Sequence, residues 1–257
     1  MSPLPLPAIF YYNERKRKTP MNQPFEKPYC NHCESRLNSV MKDVNQPTLE
    51  EISSVKACTL FKKGETIFEE GGIPPGLFCI HQGKVKVYKT GDEGRDQIVR
   101  FAKDGDVIGY RSLLSSEPYN LSAATLEDTV VCCIPRETFF GMLRSDDSFT
   151  MEMIQLLSGQ LRQSEDQLVH LAQKPVRERL AETLLVLKKV YGTENGDNSP
   201  LNVTLSRDEL AAVVGTATET LVRTLADLKR EELIATDKKK IRILDESGLI
   251  RVGNLPE

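Results

Sequence analysis

The sequence predicts an α+β chain in three parts: an N-terminal antiparallel β-roll of jelly-roll type, one long helix, and a C-terminal winged helix-turn-helix. Three observations carry this. Short apolar runs between about Leu60 and Ile134 are broken by Gly64, Gly71, Gly72, Gly76, Gly83, Gly91, Gly94, Gly105 and Gly109, the punctuation of an antiparallel all-β unit. Apolar residues recur every seven positions from about Ser148 to Gln173. Ser206-Arg207-Asp208-Glu209 and Thr216-Ala217-Thr218-Glu219 are two helix-opening signatures set close together, ahead of a strand–turn–strand.

Composition sets the outer bounds. A length of 257 residues allows one large domain or two modest ones. The charges, 34 Lys+Arg against 37 Asp+Glu for a net of −3, exclude a uniformly basic nucleic-acid coat and a highly charged disordered chain. The longest apolar runs, such as Val130-Val131-Cys132-Cys133-Ile134, fall far short of the ~20 residues that span a bilayer, so no membrane partner is expected. Pro3, Pro5 and Pro7 interrupt the first apolar piece, and the charged run Glu14-Arg15-Lys16-Arg17-Lys18 follows it, the reverse of an export signal. The expectation is a cytoplasmic protein with reduced thiols. Residues 1–38 read as a flexible tail carrying a CxxC pair. A start upstream of the true one, with Met21 as the true start, accounts equally for the first twenty residues.

The roll is expected over 39–146. Gly83-Lys84-Val85-Lys86-Val87-Tyr88-Lys89 alternates apolar and charged, as a half-buried strand does. Gly91-Asp92-Glu93-Gly94 is the turn, and Gln97-Ile98-Val99-Arg100-Phe101 the returning strand. The long helix is expected over 147–174. Ile154, Leu161 and Leu168 lie seven apart, and Leu157, Ser164 and Leu171 fill the alternate positions. Such a seam suits a partner helix in a homodimer, or packing against the chain's own domain.

The third part, 175–257, opens with Pro175 in the first turn of a helix bearing Val176, Leu180, Leu184, Leu187 and Tyr191 on one face. Leu201, Val203 and Leu205 alternate as a short strand. Two capped helices follow, the second from Thr216 to about Glu231. Ile234-Ala235-Thr236 and Ile241-Arg242-Ile243-Leu244 flank a lysine turn as a wing.

A helix-turn-helix inserts the start of its second helix in the major groove. Glu219 and Arg223, four apart, share a face there. Carboxylate accepts from the cytosine amino group and Arg forks onto guanine, so the two suit one G·C pair. A capping role for Glu219 and a surface ion pair between the two are the other readings. The region from Lys174 onward holds 14 basic and 14 acidic residues, so DNA affinity rests on local clusters, Lys229-Arg230 and Lys238-Lys239-Lys240. Lys239 is the wing contact to the DNA backbone, or an ordinary solvated turn residue.

Over about residues 30–250 the chain resembles the Crp/Fnr family of bacterial transcription regulators. The resemblance rests on Lys63-Gly64-Glu65-Thr66-Ile67-Phe68, Gly105-Asp106-Val107-Ile108-Gly109, Gln173-Lys174-Pro175-Val176-Arg177-Glu178-Arg179-Leu180, and Ser206-Arg207-Asp208-Glu209-Leu210 through Val214-Gly215 to Glu219 and Arg223. It implies a cyclic-nucleotide-binding-like roll, a homodimer and a TGA-containing palindrome in double-stranded DNA, with RNA polymerase as a further partner. Glu219 and Arg223 would read the G·C pair, Thr218 and Val222 would tune specificity, and Ser206, Arg207, Thr216 and Lys239 would complete the DNA surface.

The cyclic-nucleotide branch of the family carries a ribose-binding glutamate after a glycine, and an Arg-Ser pair for the phosphate. Gly109-Tyr110 and Leu121-Ser122 stand at the matching positions, with Arg111 one place off and Ala123 beside Ser122. Cyclic AMP is therefore not expected, and Gly109, Tyr110, Arg111, Ser122 and Ala123 outline a pocket for another effector. The oxygen-sensing branch holds an iron–sulfur cluster on four cysteines. Cys30 and Cys33 match its close pair, Cys132 its central member, and Ser39 stands where a third N-terminal cysteine belongs. Cys58 or Cys79 would have to supply the fourth ligand. Cluster, other metal, thiol switch and plain core cysteines all remain open.

An enzyme is not expected. A thiol–disulfide oxidoreductase using Cys30 and Cys33 would need a CxxC at the start of a helix in a βαβ unit, and that pattern is missing. None of His32, His81 and His170 is placed by the sequence beside a plausible catalytic nucleophile.

Overall fold

The computed structural model describes residues 27–92, 94–194 and 199–255. The possible start at Met21 and the first twenty residues lie outside them. Residues 30–38 depart from the tail expectation. They form two 3-10 turns, Cys30–His32 and Glu34–Asn38, seated on the roll. The Cys30 amide donates to Ser53 Oγ at 3.0 Å, and Ser35 Oγ donates to the His81 carbonyl at 2.5 Å.

Helix α1 (Gln46–Val55) leads into the roll, which is two four-stranded antiparallel sheets. One has the order β1 (Ala57–Phe61), β8 (Thr129–Pro135), β3 (Gly76–Gln82), β6 (Val107–Ile108). The other has the order β2 (Thr66–Phe68), β7 (Ser122–Thr125), β4 (Lys84–Thr90), β5 (Asp96–Lys103). Between them, Ile80, Val85, Val87, Ala102, Ile108, Leu121 and Ala123 form one core. The alternation along β4 works as the sequence implies, with Val85 and Val87 buried. Short helix α2 (Tyr110–Ser115) follows β6, and α3 (Arg136–Ser145) follows β8. A second core on the outer face of the first sheet joins Leu77 and Ile134 to Ile52, Phe139, Met142, Phe149 and Met153.

The long helix α4 spans Asp147–Gln173, with Asp146 capping it through the Phe149 amide. Only its first turns bury a face, at Phe149 and Met153. Farther on, Leu157 packs against the roll's core, whereas Leu161 is 62% exposed and Leu168 69%, so these two do not pack against the chain's own domain.

The C-terminal part comprises α5 (Val176–Tyr191), α6 (Arg207–Val214), α7 (Thr218–Arg230), the hairpin β9 (Ile234–Asp237) and β10 (Lys240–Ile243), and α8 (Glu246–Val252). The strand expected at Leu201–Leu205 is absent as a ladder. All three apolar side chains are buried, but the backbone makes only an isolated bridge, Thr193 to Leu201, and one bond from the Leu201 amide to Ile241. Alternating burial alone does not supply a neighbour for hydrogen bonding. This part is not separate from the roll. Leu126 belongs to the same apolar cluster as Leu180, Tyr191 and Leu201, and Phe101 meets the Tyr191 ring edge-on at 5.9 Å.

Candidate nucleic-acid interface and sensor sites

Helix α6 opens on a complete capping box. Ser206 Oγ accepts from the Glu209 amide at 3.1 Å, and the Glu209 carboxylate accepts from the Ser206 amide at 2.8 Å. Burial alone would raise the Glu209 carboxyl, but the Ser206 amide and Lys86 at 3.1 Å hold it below the usual range. Lys86 lies on β4, so this ion pair ties the helix-turn-helix to the roll.

The second expected capping box does not form. Helix α7 begins at Thr218, which puts the methyl of Ala217 in the capping position, where nothing can accept. The Thr218 hydroxyl instead donates to Asp208 at 2.8 Å, locking the two helices together. Glu219 is thereby free of a capping role, and Thr216 holds the turn through its amide to the Ala211 carbonyl. Leu221, Leu225 and Leu228 bury one face of α7, and Glu219, Val222 and Arg223 stand exposed on the other. Arg223 donates to Thr220 Oγ1 at 3.4 Å, not to Glu219. Arg207 donates to the Lys238 carbonyl, fixing α6 to the wing whose tip carries exposed Lys239.

One clamp escaped the sequence reading. Arg179 on α5 donates to four carbonyls: Leu171 and Lys174 at the end of α4, and Val214 and Gly215 at the turn before α7. Gly215 sits at φ +71°, and a β-carbon there would lie 2.6 Å from Leu171 Cδ2. The Pro175-to-Leu180 motif flagged the segment, but which carbonyls it grips is set by tertiary contact.

The expected effector pocket is brought together only in part. Gly109, Tyr110, Arg111 and Leu121 line a small cavity with Phe68, Arg100 and Tyr119. Ser122 and Ala123 do not. The Ser122 hydroxyl accepts from the Glu70 amide, and Ala123 is wholly buried between the sheets. The Phe68 and Tyr119 rings stack 4.1 Å apart, and Tyr110 is buried beneath the Arg100 guanidinium. With Tyr110 and Leu121 in place of acid and base, these residues do not fit a cyclic nucleotide.

The cysteines meet at a second cavity, lined by Cys30, Cys33, Cys79, Cys132, Lys56 and His81 among others. Lys56 Nζ lies 3.0 Å from Cys30 Sγ, and Cys33 Sγ lies 3.2 Å from His81 Nδ1. Burial, then Lys56, pulls His81 below its ordinary value. Burial pushes the Cys79 thiol far up and the Cys133 thiol up to about 12. Cys58 and Cys132 are joined as a disulfide, which corrects the expectation of reduced thiols and removes both as ligands. The pairing follows from register, since β1 sets Cys58 directly opposite Cys132 on β8. Among the described residues, no three His, Cys, Asp or Glu side chains group so as to hold a metal ion. An iron–sulfur cluster does not fit this arrangement.

A roll-shaped sensor, an exposed heptad helix and a winged helix-turn-helix with a solvent-facing reading edge define a DNA-binding regulator. Residues 59–146 match the cyclic nucleotide-binding domain and residues 178–252 the Crp-like helix-turn-helix domain. The transcriptional activator protein FnrA of Stutzerimonas stutzeri is 26% identical over 86% of this chain and 91% of its own. The fumarate and nitrate reduction regulatory protein of Escherichia coli is 24% identical over 88% and 90%. A CRP-family transcriptional regulator from Thermus thermophilus superposes with a TM-score of 0.66 at 27% identity, over 76% of this chain and 96% of that one. FixK2 from Bradyrhizobium japonicum shares the fold, with a TM-score of 0.69 at 24% identity over 79% and 100%. The chain belongs to the Crp/Fnr family, as a DNA-binding transcription regulator with a cyclic-nucleotide-binding-like sensory domain. Among the described residues, no helix is long and apolar enough to cross a membrane.

Proposed function

We propose that the chain acts as a homodimer that reads a TGA-containing palindrome through α7 and is switched by a signal at the roll. The observation that carries this is the exposed edge of α7, where Glu219 and Arg223 point to solvent and neither caps nor pairs with the other. Glu219 accepts from cytosine while Arg223 forks onto guanine, and Thr218 and Val222 set the preference at neighbouring positions. Ser206, Arg207, Thr216 and Lys239 contact the DNA backbone. Ile154, Leu157, Leu161, Leu168 and Leu171 form the dimer seam, and two-fold symmetry spaces the half-sites about one DNA turn apart. The parts divide as a sensor over 39–146, a coupling helix over 147–174 and a DNA-binding unit over 175–257. The setting is the cytoplasm, RNA polymerase is the partner of the bound dimer, and no enzymatic step is involved.

The test is competition binding of wild type and Arg223→Ala between a TGA palindrome and a scrambled duplex. Loss of roughly 1–3 kcal/mol of discrimination per half-site, with the dimer intact, is the expected result. Unchanged preference overturns the assignment.

A further inference from the structure

The first sheet carries a row of sulfur. Register sets Cys58 opposite Cys132, and Cys132 opposite Cys79 on β3. Register partners project to the same side of a sheet. That side also carries Ile134, two residues from Cys132 and packed toward the helical layer, where the N-terminal turns lie. The turns hold Cys30 at the cavity that Cys132 also lines. Cys79 and Cys30 are free thiols, and Cys58–Cys132 is the disulfide.

Cys30 differs from Cys79 in its partner. The Lys56 ammonium donates to its sulfur at 3.0 Å, and Lys56 is only 5% exposed. Among the described residues Lys56 makes no ion pair with a carboxylate, so this buried cation has a sulfur as its partner. The contact gives the Cys30 sulfur a charged donor beside the cavity that Cys132 also lines, and a thiolate is the attacking form in disulfide exchange.

We propose that this cluster is a thiol–disulfide exchange site. The Cys30 sulfur attacks Cys132, a Cys30–Cys132 bond forms as the Cys132–Cys58 bond breaks, and Cys58 leaves as a thiolate that takes up the proton Cys30 gave up. One disulfide replaces another, so no outside oxidant is consumed. Attack of the Cys58 thiolate on Cys132 reverses the exchange, and a small dithiol, becoming a disulfide itself, converts whichever protein disulfide is present to two thiols. The exchange fastens the N-terminal turns to the roll. Lys42, just beyond those turns, is ion-paired with Glu152 of α4 at 2.7 Å, so the fastened segment bears on the long helix. That last link rests on the regulator reading; the sulfur chemistry does not.

The test is disulfide mapping by mass spectrometry on the full chain, with free thiols alkylated, across dithiothreitol buffers from reduced to oxidised. Wild type should yield both Cys58–Cys132 and Cys30–Cys132 peptides in intermediate buffers. Cys58→Ser, lacking the leaving sulfur, should accumulate Cys30–Cys132 on oxidation, and Lys56→Met should slow its formation ~10-fold. The proposal is overturned by Cys132 pairing only with Cys58, by three free thiols in every buffer, or by an unchanged rate in Lys56→Met. Stoichiometric iron and acid-labile sulfide in protein made without oxygen would also overturn it. Each readout is sulfur connectivity or metal content, so failure here leaves the Arg223 reading standing, and failure of that reading leaves the connectivity unchanged.

Discussion

Arg179 Nη2 donates to the carbonyl oxygen of Gly215 at 3.0 Å, and the same guanidinium holds the carbonyl of Leu171 at the end of the long helix. One side chain thus ties the end of α4 to the turn before α7. Arg179→Ala should cost about 2–4 kcal/mol in urea unfolding, because partly buried carbonyls lose a charged donor. Arg179→Lys, a point donor in place of a fork, should recover only part of it. A cost below about 0.5 kcal/mol would show that packing alone holds this junction.

Gly215→Ala meets two obstacles, the left-handed backbone and the Leu171 methyl at 2.6 Å. The substitution should destabilise by about 1–3 kcal/mol. Adding Leu171→Ala should relieve the contact but not the backbone strain. A double-mutant cycle with no coupling would contradict the contact.

Leu161→Asp with Leu168→Asp should yield a monomer by sedimentation, since both side chains stand exposed along the seam. DNA affinity should fall at least ~100-fold as two-site engagement is lost. Lys239→Ala should instead weaken binding evenly across sequences and lower the salt slope by about 1.

The Glu209 carboxyl, held below its usual range, contributes stability that is full above the ordinary carboxylate value and disappears as pH falls through the folded value. Wild type should therefore lose stability in urea titrations as pH falls below the ordinary carboxylate value, and Glu209→Gln should lack that component. Parallel pH profiles for the two proteins would contradict the linkage.

What the sequence disclosed was local in origin. The Ser206 capping box was legible because its partners are three residues apart, and the heptad stripe because its period is set by helix geometry. The Thr216 capping box misled because the same letters recur with the helix starting one residue later, at which point Ala217 holds the capping position. Ser122 and Ala123 stay off the small cavity for another reason. A strand alternates its faces, and the resemblance gives positions without telling which side chain the β2 loop already occupies. The Arg179 clamp and the Cys58–Cys132 pair were out of reach because both join segments distant in sequence through tertiary register.

The apolar cluster that unites Leu126 of the roll with Leu180, Tyr191 and Leu201 has a consequence for how the chain is made. The roll precedes α5 in the chain and leaves the ribosome first, so the surface carrying Leu126 and Phe101 is available before the DNA-binding unit is complete. Its own apolar residues are completed by Leu126 and by the edge of Phe101. Severed from the roll, that unit would have an open side to its core, so the two parts should unfold together.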